Sequence, residues 1–187
     1  AIGRVSLAAN TTASNNSAVG YRALEANTTG ASNEAVGKGA LDANTTGSNN
    51  VGLGRDALGS STTASNNVAV GQDSLYTLTT GTGNAVLGTA AARGMTTGNY
   101  NTVMGQEALK ANTTASNNTA VGYQAGNRVT TGIQNTLIGG EAGTAITTGA
   151  NNVAVGFEAL KTLATSSQNT AVGHTALKFN TAANNSA

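Results

Sequence analysis

Mid-sized aliphatic side chains recur along this chain at a fixed interval of 17 residues: Ile2, Val19, Val36, Leu53, Val70, Leu87, Met104, Val121, Ile138, Val155 and Val172. A glycine follows each of them, from Gly3 to Gly173, and Ala, Gly, Val or Leu precedes each. No insertion or deletion breaks the register, so the chain reads as eleven copies of one unit. A unit this short cannot bury its own apolar face and must stack on its neighbours. We number the unit so that Ala1 is position 1 and Gly3 is position 3.

Two apolar columns side by side, at positions 1 and 2, predict a short strand buried on both sides, because successive strand residues point to opposite faces. One side is the inside of a coil, and the other requires a second surface that a lone thin coil does not have. We assign position 2 and the glycines, among them Gly20, Gly37, Gly71, Gly122 and Gly156, to the fold. Position 1, at Ala18, Ala35, Ala69, Ala120, Ala154 and Ala171, is assigned to contact between chains.

The remaining columns fill in the turn. Position 7 is Leu in eight turns and shrinks at Ala92, Gly126 and Gly143, where position 10 becomes Met95, Val129 and Ile146. The two columns trade volume and so share one interior. Position 6 is Ala or Ser throughout, a tight spot beside that interior. Thr-Thr at positions 11 and 12, followed by a small residue, predicts a second short strand running into a corner. Position 16 is Asn at Asn16, Asn33, Asn50, Asn67, Asn118 and the equivalent sites through Asn169, with Ser186 in the last turn. Stacking places these amides at about 4.8 Å spacing, close enough for a hydrogen-bonded ladder. Because 17 is odd, strict alternation would swap faces at every turn, so the pattern must be reset at corners, with Gly at 3 and the small residue at 13 as the expected sites.

Composition agrees with a thin coil. Leu, Ile, Val and Phe make up only 32 of 187 residues, yet charged residues are 9% and the net charge is +1, without the self-repulsion of a disordered chain. Proline is absent, as expected where nearly every N–H enters a ladder, and so is cysteine, which excludes disulfides and thiolate metal sites. No segment has the length and apolarity of a membrane span, so no membrane insertion is expected. The chain begins in mid-repeat and without Met, so it reads as a segment of something longer.

Asn-Asn-Val-Ala-Val-Gly, at Asn66 to Gly71 and Asn151 to Gly156, resembles the head repeats of trimeric autotransporter adhesins, with their Asn-Ser-Val-Ala-Ile-Gly signature. The longer stretch Asn112 to Gly126 is similar to repeats of phage tail fibres, and the match covers the whole chain, although the adhesin repeat is shorter. The resemblance implies a left-handed parallel β-roll with two short strands per turn, three chains packed around the Ala-Val-Gly strands, and an extracellular setting on a virion or bacterial surface. The expected architecture is therefore an all-β parallel β-solenoid of eleven turns in a homotrimer, one domain over residues 1–187.

Candidate chemistry is sparse, and neither an enzyme nor a cofactor site is expected. Sixteen of the seventeen charged residues lie at positions 4, 5, 8 and 9, which marks an exposed ridge; Glu34 is the exception. His174, the only histidine, has no second His or Cys to share a metal and reads as surface. Stacked acids at Asp56 and Asp73, and at Glu141 and Glu158, raise cation binding, but ordinary solvated charge is the simpler reading. Glycines from Gly81 to Gly88 belong to separate columns, with no helix after them for a phosphate loop. Tyr21, Tyr76, Tyr123, Phe157 and Phe179 on or beside the ridge could contact a host-surface glycan or receptor. The nine basic residues are interleaved with eight acids and form no stripe for nucleic acid. Asn10, Asn27, Asn44 and Asn112 stand in Asn-Thr-Thr sequons. The leading expectation is a stiff extracellular fibre segment. Open β edges at both ends make a filament stacked end to end the alternative, and a glycan- or ice-binding solenoid, the latter through outward threonines, ranks third.

Overall fold

A computed structural model describes all residues, 1–187. Ten three-residue strands follow one another at the 17-residue interval: β1 (Ser17–Val19), β2 (Glu34–Val36), β3 (Val51–Leu53), β4 (Val68–Val70), β5 (Ala85–Leu87), β6 (Thr102–Met104), β7 (Thr119–Val121), β8 (Thr136–Ile138), β9 (Val153–Val155) and β10 (Thr170–Val172). They form one parallel sheet in chain order, each strand in register with the equivalent residues of the next, as Ala18 with Ala35. The protein is an all-β parallel solenoid. Ten strands bound nine complete turns, and single bridges, Ile2 to Val19 and Thr170 to Ser186, continue the ladder at each end.

Only one strand forms per turn. At positions 11 and 12 two successive N–H groups share one carbonyl, as Thr45 N and Thr46 N do with Thr62 O at 2.9 and 3.3 Å, so no ladder run develops there. The position 11 hydroxyl instead donates to the carbonyl of the next turn, from Thr11 through Thr147. Of 126 backbone hydrogen bonds only 18 lie within strands, so inter-turn bonds in the bends carry most of the stacking.

The corners are made by left-handed backbone. The position 3 glycines have φ between +128° and +141°, a range side-chain residues rarely enter. Positions 5, 7 and 15 are also left-handed but hold ordinary residues, including eight leucines such as Leu24 (φ 52°) and Leu109 (φ 48°). A left-handed non-glycine residue costs roughly 1–2 kcal/mol. At position 7 burial offsets the cost, since Leu24, Leu41, Leu58, Leu75, Leu109 and Leu160 are fully enclosed, and burying a leucine contributes about 1.5–3 kcal/mol. The small residue at position 13 has no positive φ, so the corner expected there is made at position 15 instead.

The interior is one cluster of 31 buried apolar residues running the length of the rod. Positions 1, 6, 7 and 10 build it, joined by Ala64 and Ala115 of position 13, and positions 1, 7 and 10 trade volume. Leu137 at position 1 fills the space left by Gly126 and Gly143, and Val86 stands in the same turn as Ala92 and Met95. The position 16 ladder lines the other wall. The main-chain N–H and the side-chain Nδ2 of Asn84 both donate to Asn67 Oδ1 at 3.0 Å, and Nδ2 also donates to Gly98 O at 2.9 Å. The pattern runs from Asn16 and Asn33 through Asn50, Asn67 and Asn118 to Asn169. In the last turn Asn185, not Ser186, bonds Asn169 Oδ1, so that turn is one residue shorter.

Candidate interaction surfaces

Each strand has its middle residue buried and its two ends turned outward. The middle residue is position 1. Ala18, Ala35, Ala69, Ala120, Ala154 and Ala171 are 0–1% exposed, sealed inside their own coil. The assignment of these alanines to contact between chains is therefore corrected. The physical reason is width: the interior must also hold the position 7 leucines, and these alanines are small enough to share that space with them. Position 2, assigned above to the fold, is the outward column. Val36 is 45% exposed and Met104 49%.

Positions 2 and 17 together make an outward sheet face. Column 2 is aliphatic in every turn, and column 17 adds Val51, Val68 and Val153 among Ser, Thr and Ala, with Glu34 its single charge. Where Ala85 stands between the larger Val68 and Thr102, a groove of about 240 Å³ opens, flanked by Val70, Leu87 and Met104 and floored by Val86 and Val103. Ten strands, extended by a single bridge at each end, at one strand spacing each make this face on the order of 50 Å long.

The charged ridge lies around the corner from Gly3 and its equivalents. Acids at position 5 meet bases of their own and neighbouring turns. Lys161 bonds both Glu141 and Glu158, and Lys178 also bonds Glu158. Glu158 is held below the usual carboxylate range by the hydrogen bonds from Lys161 and Lys178, and the Lys161 ammonium is raised by Glu141 and Glu158. Glu107 is lowered in the same way by Lys110 and Gln124. Asp73 faces Arg55 and Arg93 at 3.9 Å, and Asp56 faces Arg55 at 3.5 Å. The stacked acids are thus neutralised by side chains of the same ridge.

Near the first turns the ridge opens into a cleft of about 510 Å³, lined by Ala8, Ala9, Ala26 and Ala43 with Arg22, Glu25 and Asp42. Arg22 pairs with Glu25 and, at 3.0 Å, with Asp42. Burial raises the Asp42 carboxyl against the opposing pull of Arg22. These three charges face one another, an arrangement that positions no nucleophile beside a base.

Neither family models nor curated proteins nor solved structures match this chain. The functional reading therefore rests on the surfaces themselves.

The aromatics do not gather into a platform. Phe157 stacks on His174 with ring centroids 5.6 Å apart, Arg93 lies over Tyr76, and Lys178 lies over Phe179. Tyr21 and Tyr123 are exposed singly, seventeen residues or more from the next ring on the ridge. Tyr76, Tyr100 and Phe157 each lie against a glycine one turn earlier, Gly59, Gly83 and Gly140, which leaves room for the ring. Among the sequon asparagines, Asn27, Asn44 and Asn112 are fully buried, where their amides bond main-chain carbonyls. One threonine column faces outward: position 12, from Thr12 to Thr165, is exposed throughout.

The inward-outward parity was the feature the sequence reading missed. Its signal was present in position 1, where Val86 and Leu137 enlarge in the turns that carry Ala92 and Gly143. Columns that exchange volume share a space, and position 1 exchanges with position 7.

Proposed function

We propose that this chain is a non-catalytic, stiff segment of an extracellular fibre, the shaft or head of a phage tail fibre or bacterial surface adhesin, and that three copies pack through the outward sheet face. The observation that carries the reading is the uninterrupted aliphatic column at position 2. A soluble chain rarely leaves a continuous apolar strip of this length open to water. The partner that fits it has an apolar column with the same rise per turn, and another copy of this chain supplies that period. Covering about ten half-exposed aliphatic side chains contributes on the order of 10 kcal/mol per copy before the costs of association. The role is mechanical: backbone ladders, the Asn column and the enclosed leucines resist bending and proteolysis and hold a binding tip away from its base.

The test is mass in solution by light scattering, with circular dichroism to monitor folding. Val36, Val70 and Val121 changed together to Glu should convert a discrete three-copy species into folded single chains. Ala69→Glu, aimed inward, should unfold the local turns instead. A wild-type chain that stays single at all concentrations refutes the reading, and open-ended polymers would replace it with a filament that grows end to end.

A further inference from the structure

We propose that Glu34 of one copy pairs with Lys38 of the next, and that this pair sets a parallel, in-register assembly about an axis running along the rod. The inference rests on the sheet face being the contact surface and adds how the copies are arranged.

Of the eight acids in the chain, Glu25, Asp42, Asp56, Asp73, Glu107, Glu141 and Glu158 each have an ion-pair partner within the chain. Glu34 has none, although it is exposed, and it is the one charge on the outward sheet face. Lys38 is likewise exposed and unpaired. Glu34 opens β2 and Lys38 follows two residues after its end. Glu34 stands at one border of the face, Val36 in its middle, and Lys38 past the Gly37 bend at the other border.

Covering Glu34 with an aliphatic column and no counter-charge carries a heavy desolvation penalty, so a copy that packs here must bring a cation to it. Rotation about an axis along the rod sets the position 17 border of one copy against the position 4 border of the next. A closed ring allows no rise between copies, so equal heights meet, and Glu34 meets Lys38. Antiparallel packing with full overlap sets β2 against β9, where Val153, Val155 and Phe157 offer no positive charge. Sliding by one turn leaves Lys38 opposite Ser17 or Val51 and sets Glu34 against Arg55, already shared with Asp56 and Asp73, or against the uncharged Tyr21. Arg4 and Arg128 are also unpaired, but only the parallel, unshifted arrangement brings Glu34, the one unpaired acid, to Lys38 of the same level.

Charge exchange tests this directly. Glu34→Lys or Lys38→Glu alone should weaken self-association about 10-fold or more, and the double exchange should restore it to within about 3-fold. Because the chain has no cysteine, Glu34→Cys with Lys38→Cys gives an independent readout: oxidation should close a covalent ring of copies on a non-reducing gel. Single exchanges without effect, a double exchange no better than the singles, or a failure to cross-link each overturn the pairing. If the wild type self-associates, Val70→Glu dissociates it and the exchanges do nothing, only the pairing fails. If the wild type never self-associates, the contact face itself fails.

Discussion

Two glycines in one turn separate contact from conformation as the reason a residue must be glycine. A Cβ on Gly88 would lie 2.5 Å from the Gly105 carbonyl oxygen and 2.6 Å from its carbon, and φ there is +141°. A Cβ on Gly98 would come at least as close to the Ala115 carbonyl oxygen, but Gly98 has no positive φ. Judged by contact alone, alanine is equally bad at both. Judged by conformation, Gly88→Ala is far worse, because backbone strain of roughly 1–3 kcal/mol is added to weakening of a ladder hydrogen bond worth about 1 kcal/mol. That bond is Gly88 N to Val70 O at 2.8 Å. Gly98 belongs to a column in which Ala64 and Ala115 are accommodated with 1% exposure, and the flexible Met95 side chain beside it can move. Alanine also narrows the unfolded ensemble by about 0.4–1 kcal/mol. The expected result is a loss of about 2–4 kcal/mol for Gly88→Ala and a change within about 1 kcal/mol for Gly98→Ala. Because stacked repeats open locally, hydrogen exchange of the amides in β5 and β6 is the assay, supported by thermal melting. Equal losses at the two sites would refute the conformational argument.

Asn84→Ala should cost about 2–4 kcal/mol, because the Asn101 N–H loses its acceptor and Gly98 O its donor inside the rod; faster exchange confined to the Asn101 amide and its neighbours is the expected sign, and unchanged exchange there would contradict a ladder role. Leu137→Ala should lose about 3 kcal/mol, and adding Gly143→Leu should recover part of it with a coupling above about 1 kcal/mol; strict additivity in denaturant titrations would show that the two sites do not share one space. Glu158, with its folded pKa lowered by Lys161 and Lys178, contributes stability that is present above its ordinary 4.5 and lost as pH falls through the lowered value. Glu158→Gln should therefore reduce the steepness of acid unfolding below pH 4.5 without changing its slope near neutrality, and a parallel loss at all pH values would count against the linkage.

The period, the stacking and most columns were legible in the linear sequence, because each turn repeats the same chemical demand at the same distance along the backbone. An amide at Asn33 is useful only if Asn16 and Asn50 lie above and below it, and a 17-residue spacing places them there. The ridge was legible for a similar reason, since charges avoid every column that must be enclosed. The second strand expected at Thr11-Thr12 did not form, because β propensity says nothing about two N–H groups converging on one carbonyl. Parity was left to the tertiary structure. Ala35 and Val36 are both apolar and adjacent, so hydrophobicity cannot say which one turns inward. The decision is made by left-handed residues at positions 3, 5, 7 and 15, which aim the following strand. Leucines at position 7 adopt that backbone only because burial in the closed coil outweighs its strain, an exchange that exists only once the turns have stacked.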